Sequence, residues 1–285
     1  MRAQSLQVNL LGPCNARCPF CIAKSTWKTG VEDNEGLFRG LEKCLGYARY
    51  HRVDSVMITG TGEPTLLDDA VAEVVSEARR LGFPSIELQT NGMLLAQEPR
   101  RLETLAKIGL TGLAVSTAHP DPYQNQMTIG VTHDYLDLLS KASGMGLLTR
   151  VTLNLVNNCF NTVKLADWAD ILVSRGIHQL TLRELGIPDV NPLDTVASER
   201  ARAWTEANRM LEREVHELRR DIRQHGHLVR TTAFGVEIYD YHGLSTCVSP
   251  SCLIENTSLD EIRSMILQPD GYIYSSWSLP GSILI

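Results

Sequence analysis

Apolar residues along this chain switch between two periods, and the switch repeats. Leu6, Val8 and Leu10 alternate over a short run ended by Gly12-Pro13, the period of a strand with one face buried. From about residue 34 to 50 the spacing lengthens to that of a helix, with Leu37, Leu41, Cys44, Leu45 and Ala48 on one side. The exchange recurs, so strands are expected at 54–60, 85–90, 112–117, 149–156 and 177–185. Helices are expected at 67–81, around 102–108, at 135–144 and at 163–172. Gly82, Gly109, Gly144 and Gly176 stand at their C-terminal stops, and Asn161 is placed to cap the last. Residues 118–132 read as a polar loop. Strands alternating with helices of this length imply βαβ units on a parallel sheet, as a partial β/α barrel or a doubly wound sheet.

Beyond residue 185 the alternation stops. A long, highly charged helix is expected at 196–225, a strand at 228–238 and a loop at 239–243. A hairpin of 265–268 with 272–274 should follow around Asp270-Gly271. No low-complexity linker intervenes. Residues 186–285 therefore read as a C-terminal α+β extension folding against the unit formed by 1–185, not as a free domain.

Composition narrows the function classes. The 285 residues are 43% apolar and 21% charged, as in an ordinary soluble globular protein able to bury a sizeable core. A formal charge of −6 argues against broad contact with a nucleic-acid backbone. No apolar run is long enough to span a bilayer, and the polar start, Met1 to Asn9, does not resemble a secretory leader. Seven cysteines without such a leader fit metal binding in a reducing cytoplasm better than a disulfide framework.

Three of those cysteines sit together as Cys14-x3-Cys18-x2-Cys21, directly after the first expected strand. Clustered thiolates select zinc, copper(I) or iron–sulfur clusters. A structural zinc site wants a fourth protein ligand, and no such ligand is obvious nearby. A [4Fe–4S] cube on three cysteines would instead leave one iron open. Polar residues recur at the strand ends: Thr59, Thr90-Asn91, Ser116-Thr117, Asn154 and Arg183-Glu184. In both candidate architectures that end is where ligands bind.

The cysteine spacing, combined with Gly60-Thr61-Gly62-Glu63-Pro64 after the second strand, resembles the radical S-adenosylmethionine (radical SAM) superfamily of the CxxxCxxC type. Thr61 stands where that family often has the first of two adjacent glycines. The resemblance covers about residues 5 to 185 and implies a partial (β/α)6 TIM-like barrel capped by the C-terminal extension. It implies that Cys14, Cys18 and Cys21 hold three irons of a [4Fe–4S] cluster while SAM chelates the fourth. Phe20 would lie beside the adenine. Thr61, Gly62 and Glu63 would form the edge receiving the methionine amino group. Thr90 and Asn91 resemble a segment near SAM, Ser116 a ribose or carboxylate contact, and Asn154 and Arg183 further contacts. A 5′-deoxyadenosyl radical would then abstract hydrogen from a C–H bond. A low-potential electron donor such as flavodoxin or ferredoxin is implied as partner.

The tail carries a weaker resemblance. Cys247, Cys252, Ile262-Arg263 and Gln268 to Tyr274 look like the auxiliary-cluster region of the cyclic-pyranopterin synthase (MoaA-like) branch, but Ser275, Ser276 and Trp277 stand where its last cysteine would be. Cys247 and Cys252 are thus loop residues, hydrogen-atom donors to a substrate radical, or ligands of an incomplete cluster. Cys159 is a further candidate, and His119, Tyr239, Tyr241, His242 and Trp277 are candidate pocket residues. Cys44 reads as a core residue. A nucleotide, sugar or related metabolite is the expected substrate, undergoing epimerisation, rearrangement, dehydration or dehydrogenation. The alternatives are modification of a peptide or nucleic acid, and a non-catalytic zinc or iron–sulfur module.

Overall fold

The computed structural model describes residues 2–24, 29–187, 195–251 and 261–285. Its strands are β1 (Arg2–Leu10), β2 (Ser55–Gly60), β3 (Ser85–Thr90), β4 (Gly112–Thr117), β5 (Leu148–Leu155), β6 (Gln179–Glu184), β7 (His227–Thr231), β8 (Glu237–Tyr241), β9 (Leu244–Ser249), β10 (Glu261–Leu267) and β11 (Ile273–Tyr274). The helices are α1 (Glu35–Tyr50), α2 (Asp68–Arg80), α3 (Met93–Gln97), α4 (Pro99–Ile108), α5 (Pro122–Ile129), α6 (Tyr135–Gly144), α7 (Leu165–Ser174), α8 (Thr195–Asn208) and α9 (Glu212–His225). All the strands join one sheet in the order β11-β10-β1-β2-β3-β4-β5-β6-β9-β8-β7. The run from β10 through β1 to β6 and β9 is parallel throughout.

Alternation sorts each parallel strand into two faces. One face carries Leu6 and Val8, Val56 and Ile58, Ile86 and Leu88, Leu113 and Val115, Val151 and Leu153, all fully buried. Against it pack the helix stripes predicted by spacing, Leu37, Leu41 and Leu45 of α1 and Val71, Val74 and Val75 of α2. Each such side chain contributes about 1.5–3 kcal/mol of burial. The other face is polar. Strand register aligns Gln89 with Ala114 and Arg150, Thr152 with Thr181 and Cys247, and Asn154 with Arg183 and Ser249. The sheet curls around this face as a partial barrel. Its two sides come within side-chain reach where Arg263 of β10 donates to Ser249 Oγ of β9 at 3.1 Å.

Four expectations change. The supposed loop 118–132 contains α5, whose N-terminus is capped by Asp121 accepting from Tyr123 N at 2.7 Å, with Pro122 in the first turn. The charged run 196–225 is two helices. Between them, Arg209 bridges Val156 and Met210 N donates to Leu155 O at 3.0 Å, so the chain leaves the helix to pair with the end of β5. The expected strand 228–238 is broken into β7 and β8, and Tyr239 to Tyr241 belongs to β8 rather than to a loop. His242 (φ +54°) and Gly243 (φ +80°) then make a two-residue turn of the kind that suits hairpin twist. Asn161 does not cap α7, which starts after Lys164. The hairpin around Asp270-Gly271 is present, and β10 runs beside β1. It rests on the start of α1, where Leu37 N donates to Pro269 O at 2.9 Å.

Candidate active site

The cysteine loop leaves β1 and is closed at its base before α1 begins. Asn34 pairs with Leu11 like a strand neighbour, accepting from Leu11 N and donating to Leu11 O, each at 2.9 Å. Within the loop, Cys21 N donates to Cys18 O at 3.4 Å, and Arg17 N reaches Ile129 O at the end of α5 at 2.8 Å. Cys14 is exposed and Cys18 and Cys21 half-buried, none in a disulfide. Phe20 is buried under α8, its ring 5.6 Å from that of Trp204.

The segment after β2 is threaded against this loop. Thr61 N donates to Leu10 O at 3.0 Å and Glu63 N to Pro13 O at 2.8 Å. Between them Gly62 lies so close that a Cβ there would sit 2.1 Å from Gly12 O, which is why the position takes glycine. Glu63 is 3% exposed, and its carboxylate is fully engaged. Oε1 accepts from Thr65 N at 3.1 Å, Thr65 Oγ1 at 2.7 Å and Thr90 Oγ1 at 2.5 Å; Oε2 accepts from Asn91 N at 2.8 Å. Glu63 is therefore a clasp between the ends of β2 and β3. Asn91 extends the clasp, donating from Nδ2 to Asn15 Oδ1 at 2.7 Å. The Thr61 hydroxyl is buried and has no partner among the described residues.

The remaining predicted residues lie along the same rim or elsewhere. Asn154 donates to Thr117 O at 3.0 Å, and Ser116 shares its register with Thr152. Arg183 lies on the polar face and donates to Pro250 O at 3.2 Å, whereas Glu184 points to the helix side and pairs with Arg219 of α9. Cys247 faces Thr181, Sγ to Oγ1 at 3.8 Å; Cys252 lies outside the described residues. Cys159 is fully buried, and burial pushes its thiol up to about 12. Cys44 is buried as expected and is likewise raised by burial, to about 11. His119 is 4% exposed and held between Asn161 Oδ1 and Asp121 N, so it is a loop brace rather than a pocket group. Tyr239 and Tyr241 are buried and bonded to Glu237 and Asp221, and His242 pairs with Asp170 on an outer turn.

Two features of the interior escape sequence reasoning. Arg150 of β5 crosses the small residues Gly112 and Ala114 of β4 to pair with Glu87 of β3, and Gln89 also donates to Glu87, at 3.2 Å. Trp204, from the charged helical stretch, lies on Phe20 beside the last cysteine. Only strand register and tertiary packing create these meetings.

Among the described residues, no three His, Cys, Asp or Glu side chains already converge on one metal position. The fit to a cluster rests on donor chemistry and surroundings. Burial raises the Cys14 thiol above its usual value, and Glu63 and Cys21 act in the same direction, against hydrogen bonds from Ala16 and Asn91. Iron would be the positive charge that holds such a thiol as thiolate. Beside it lie the backbone edge at Gly62 and the unpartnered Thr61 hydroxyl, suited to a polar ligand at an open iron.

A "Probable GTP 3′,8-cyclase" of Saccharolobus solfataricus is 26% identical over 185 residues, 64% of this chain and 57% of that protein. A GTP 3′,8-cyclase of Aquifex aeolicus is 25% identical over 194 residues, 66% of this chain and 59% of that protein. The chain thus spans less than two thirds of these relatives' length. Streptococcus suis SuiB, in its crystal structure bound to S-adenosylmethionine, superposes with a TM-score of 0.66 at 16% identity, over 98% of this chain and 61% of SuiB. That likeness shows the fold, a partial TIM barrel. The sequence profile of the Radical SAM superfamily matches residues 8–162, more than half the chain. The chain belongs to the radical SAM superfamily, enzymes that use a [4Fe–4S] cluster and S-adenosylmethionine.

Proposed function

We propose that Cys14, Cys18 and Cys21 hold the cluster of this radical SAM enzyme, and that it acts on a C–H bond of a small or modest polar substrate, a nucleotide or sugar, inside the barrel. With the cluster and S-adenosylmethionine bound, the site would supply radical chemistry able to take a hydrogen atom from a C–H bond, the electron coming from an external low-potential donor. The chain's own residues bind, orient and exclude water. Thr61 and Gly62 offer the methionine edge, which Glu63 holds in place without touching SAM itself. Thr90 and Asn91 brace that edge, and Ser116, Asn154 and Arg183 line the rim beyond it. Phe20, backed by Trp204 of α8, shields the adenine side, so residues 186–285 act as the closing extension to the barrel of 1–185. A radical needs such shelter from solvent. Cys247, on the polar face with Sγ 3.8 Å from Thr181 Oγ1, would give a hydrogen atom to a substrate radical, its own thiyl radical then taking an electron from the external donor and a proton from solvent.

The observation that carries this reading is the Glu63 clasp, four donors on one buried carboxylate that tie the Gly62 edge to the end of β3, with Glu63 N on Pro13 O and Asn91 Nδ2 on Asn15 Oδ1 joining it to the cysteine loop. Support for a polar metabolite comes from the interior face, where Glu87, Gln89, Arg150, Thr152, Thr181 and Arg183 leave little apolar surface for a hydrophobic peptide side chain. The relatives named as GTP cyclases make GTP the first candidate. No helix among the described residues is long and apolar enough to cross a membrane. A reducing cytoplasm with a flavodoxin or ferredoxin as electron donor suits the cysteine content. The test is anaerobic turnover with deuterated GTP, other nucleotides and nucleotide sugars. Deuterium in 5′-deoxyadenosine supports the reading. Label acquired only from deuterated peptides would overturn the substrate class.

A further inference from the structure

Charges on the polar face of the barrel do not balance. Glu87 is spent on Arg150, and Glu184 turns to the helix side to pair with Arg219. Arg183, half-buried on the polar face, has Pro250 O at 3.2 Å as its one partner among the described residues. Its remaining guanidinium N–H groups meet no carboxylate there. A second guanidinium arrives from the opposite side of the sheet, where Arg263 of β10 donates to Ser249 Oγ at 3.1 Å. Ser249 Oγ in turn lies 3.4 Å from Pro250 O as its donor, so hydrogen bonds on two adjoining residues of β9 gather both arginines. Ser249 is 4% exposed. Positive charge therefore converges at a sheltered seam in a chain whose formal charge is −6. Like charges drawn together away from water cost free energy unless an anion joins them.

We infer that Arg183 and Arg263, with the Ser249 hydroxyl between them, form an anion subsite that takes a phosphoryl group of the substrate. Each guanidinium offers a planar fork of N–H donors that matches phosphate oxygens. Ser249 shares the polar face with Cys247, two residues earlier on β9. A phosphoryl group held at Ser249 would let the rest of the substrate extend along β9 toward that thiol. The assignment narrows the substrate to a phosphorylated nucleotide or sugar. It rests on the reading of the barrel interior as the substrate site.

The test is calorimetric titration of inorganic pyrophosphate into the reconstituted protein, with and without SAM, for wild type, Arg183→Gln, Arg263→Gln and Arg220→Gln. Arg220 is exposed on α9 and serves as the charge control. Pyrophosphate should bind wild type, and its dissociation constant should rise about ten-fold or more in Arg183→Gln and in Arg263→Gln, a loss of about 1.4 kcal/mol. Arg220→Gln should leave it within about two-fold, and the dissociation constant of SAM should stay within about three-fold throughout. Arg183→Lys keeps the charge without the fork and should recover part of the loss, which separates the subsite from a folding defect. Wild type that binds no pyrophosphate overturns the inference, as does equal binding by every variant. Loss of SAM affinity in Arg183→Gln with pyrophosphate binding intact gives that guanidinium to SAM and overturns it too. Malonate bound more tightly than pyrophosphate would make the group a carboxylate and overturn the phosphoryl assignment. The titration needs no turnover. Deuterium labelling that fails with every nucleotide and sugar therefore strikes the reading of the substrate, whereas absent anion binding strikes this subsite.

Discussion

Replacing Gly62 by alanine would place a methyl carbon 2.1 Å from Gly12 O and 2.3 Å from Pro13 O. Both obstacles are backbone, so no side-chain rotation relieves the clash. The two segments must part by about 1 Å or more to regain ordinary contact. Parting strains the bonds that tie them, Glu63 N to Pro13 O and Thr61 N to Leu10 O. Overpacking costs about 1–3 kcal/mol, and each buried bond lost about 1 kcal/mol more. The sum is about 3–5 kcal/mol, which in a chain of this size lowers the melting temperature by roughly 10 °C. If the cysteine loop yields instead, the melting shift shrinks and iron retention falls. Anaerobic thermal melting with iron content per chain therefore reads both outcomes. Gly46→Ala is the control: it lies within α1 with nothing beyond the helix's own neighbouring backbone within 4 Å of the added carbon, and should stabilise by about 0.5–1 kcal/mol. A Gly62→Ala protein that melts and holds iron like wild type would refute the threading argument.

Three further outcomes are expected. Glu63→Ala strands the donors of Thr65, Thr90 and Asn91 in a buried site and should cost about 3–5 kcal/mol, read by urea unfolding; a loss under about 1 kcal/mol would remove the clasp. Cys247→Ser should keep 5′-deoxyadenosine formation while product is lost, and unchanged product by mass spectrometry would end its role as hydrogen donor. His133 has both ring nitrogens buried without a partner among the described residues, and burial lowers its pKa to about 4. The neutral ring is thus favoured in the folded state. Its contribution is present above the ordinary histidine pKa near 6.5 and is lost as pH falls toward 4. The urea midpoint should drop across that window, and His133→Phe should flatten the drop; an equal slope in the variant speaks against it.

Much of the barrel was legible because each parallel strand buries one apolar face and each helix one stripe, and both periods survive in the residues. The bounds of α1, α2 and α6 follow from Leu, Val and Ala spacing, with Gly82 and Gly144 marking the ends of the last two. The failures have local causes. Asp121-Pro122 is a helix start hidden in a polar stretch, and it went unread because the eight residues of α5 carry no strong stripe. The break between α8 and α9 is imposed from outside, by backbone pairing of Met210 with the end of β5. At the candidate site, Cys14, Cys18 and Cys21 stood out by their spacing, and Gly62 and Glu63 by the resemblance of their motif to that of the radical SAM family. The direction of Glu63 did not: its type suggested an edge for the cofactor, and only the fold reveals the carboxylate turned inward onto Thr90 and Asn91. Glu87 and Arg150 could not be paired without knowing the register across β4.

The central claim is that the three thiols and the Gly62 edge form one cofactor site. Anaerobic reconstitution with iron and sulfide, followed by SAM and a low-potential reductant, tests it most directly. The account predicts about four irons per chain, a reduced-cluster resonance altered by SAM, and 5′-deoxyadenosine release that Cys14→Ala, Cys18→Ala or Cys21→Ala abolishes. A colourless protein retaining one zinc per chain and leaving SAM intact would contradict it.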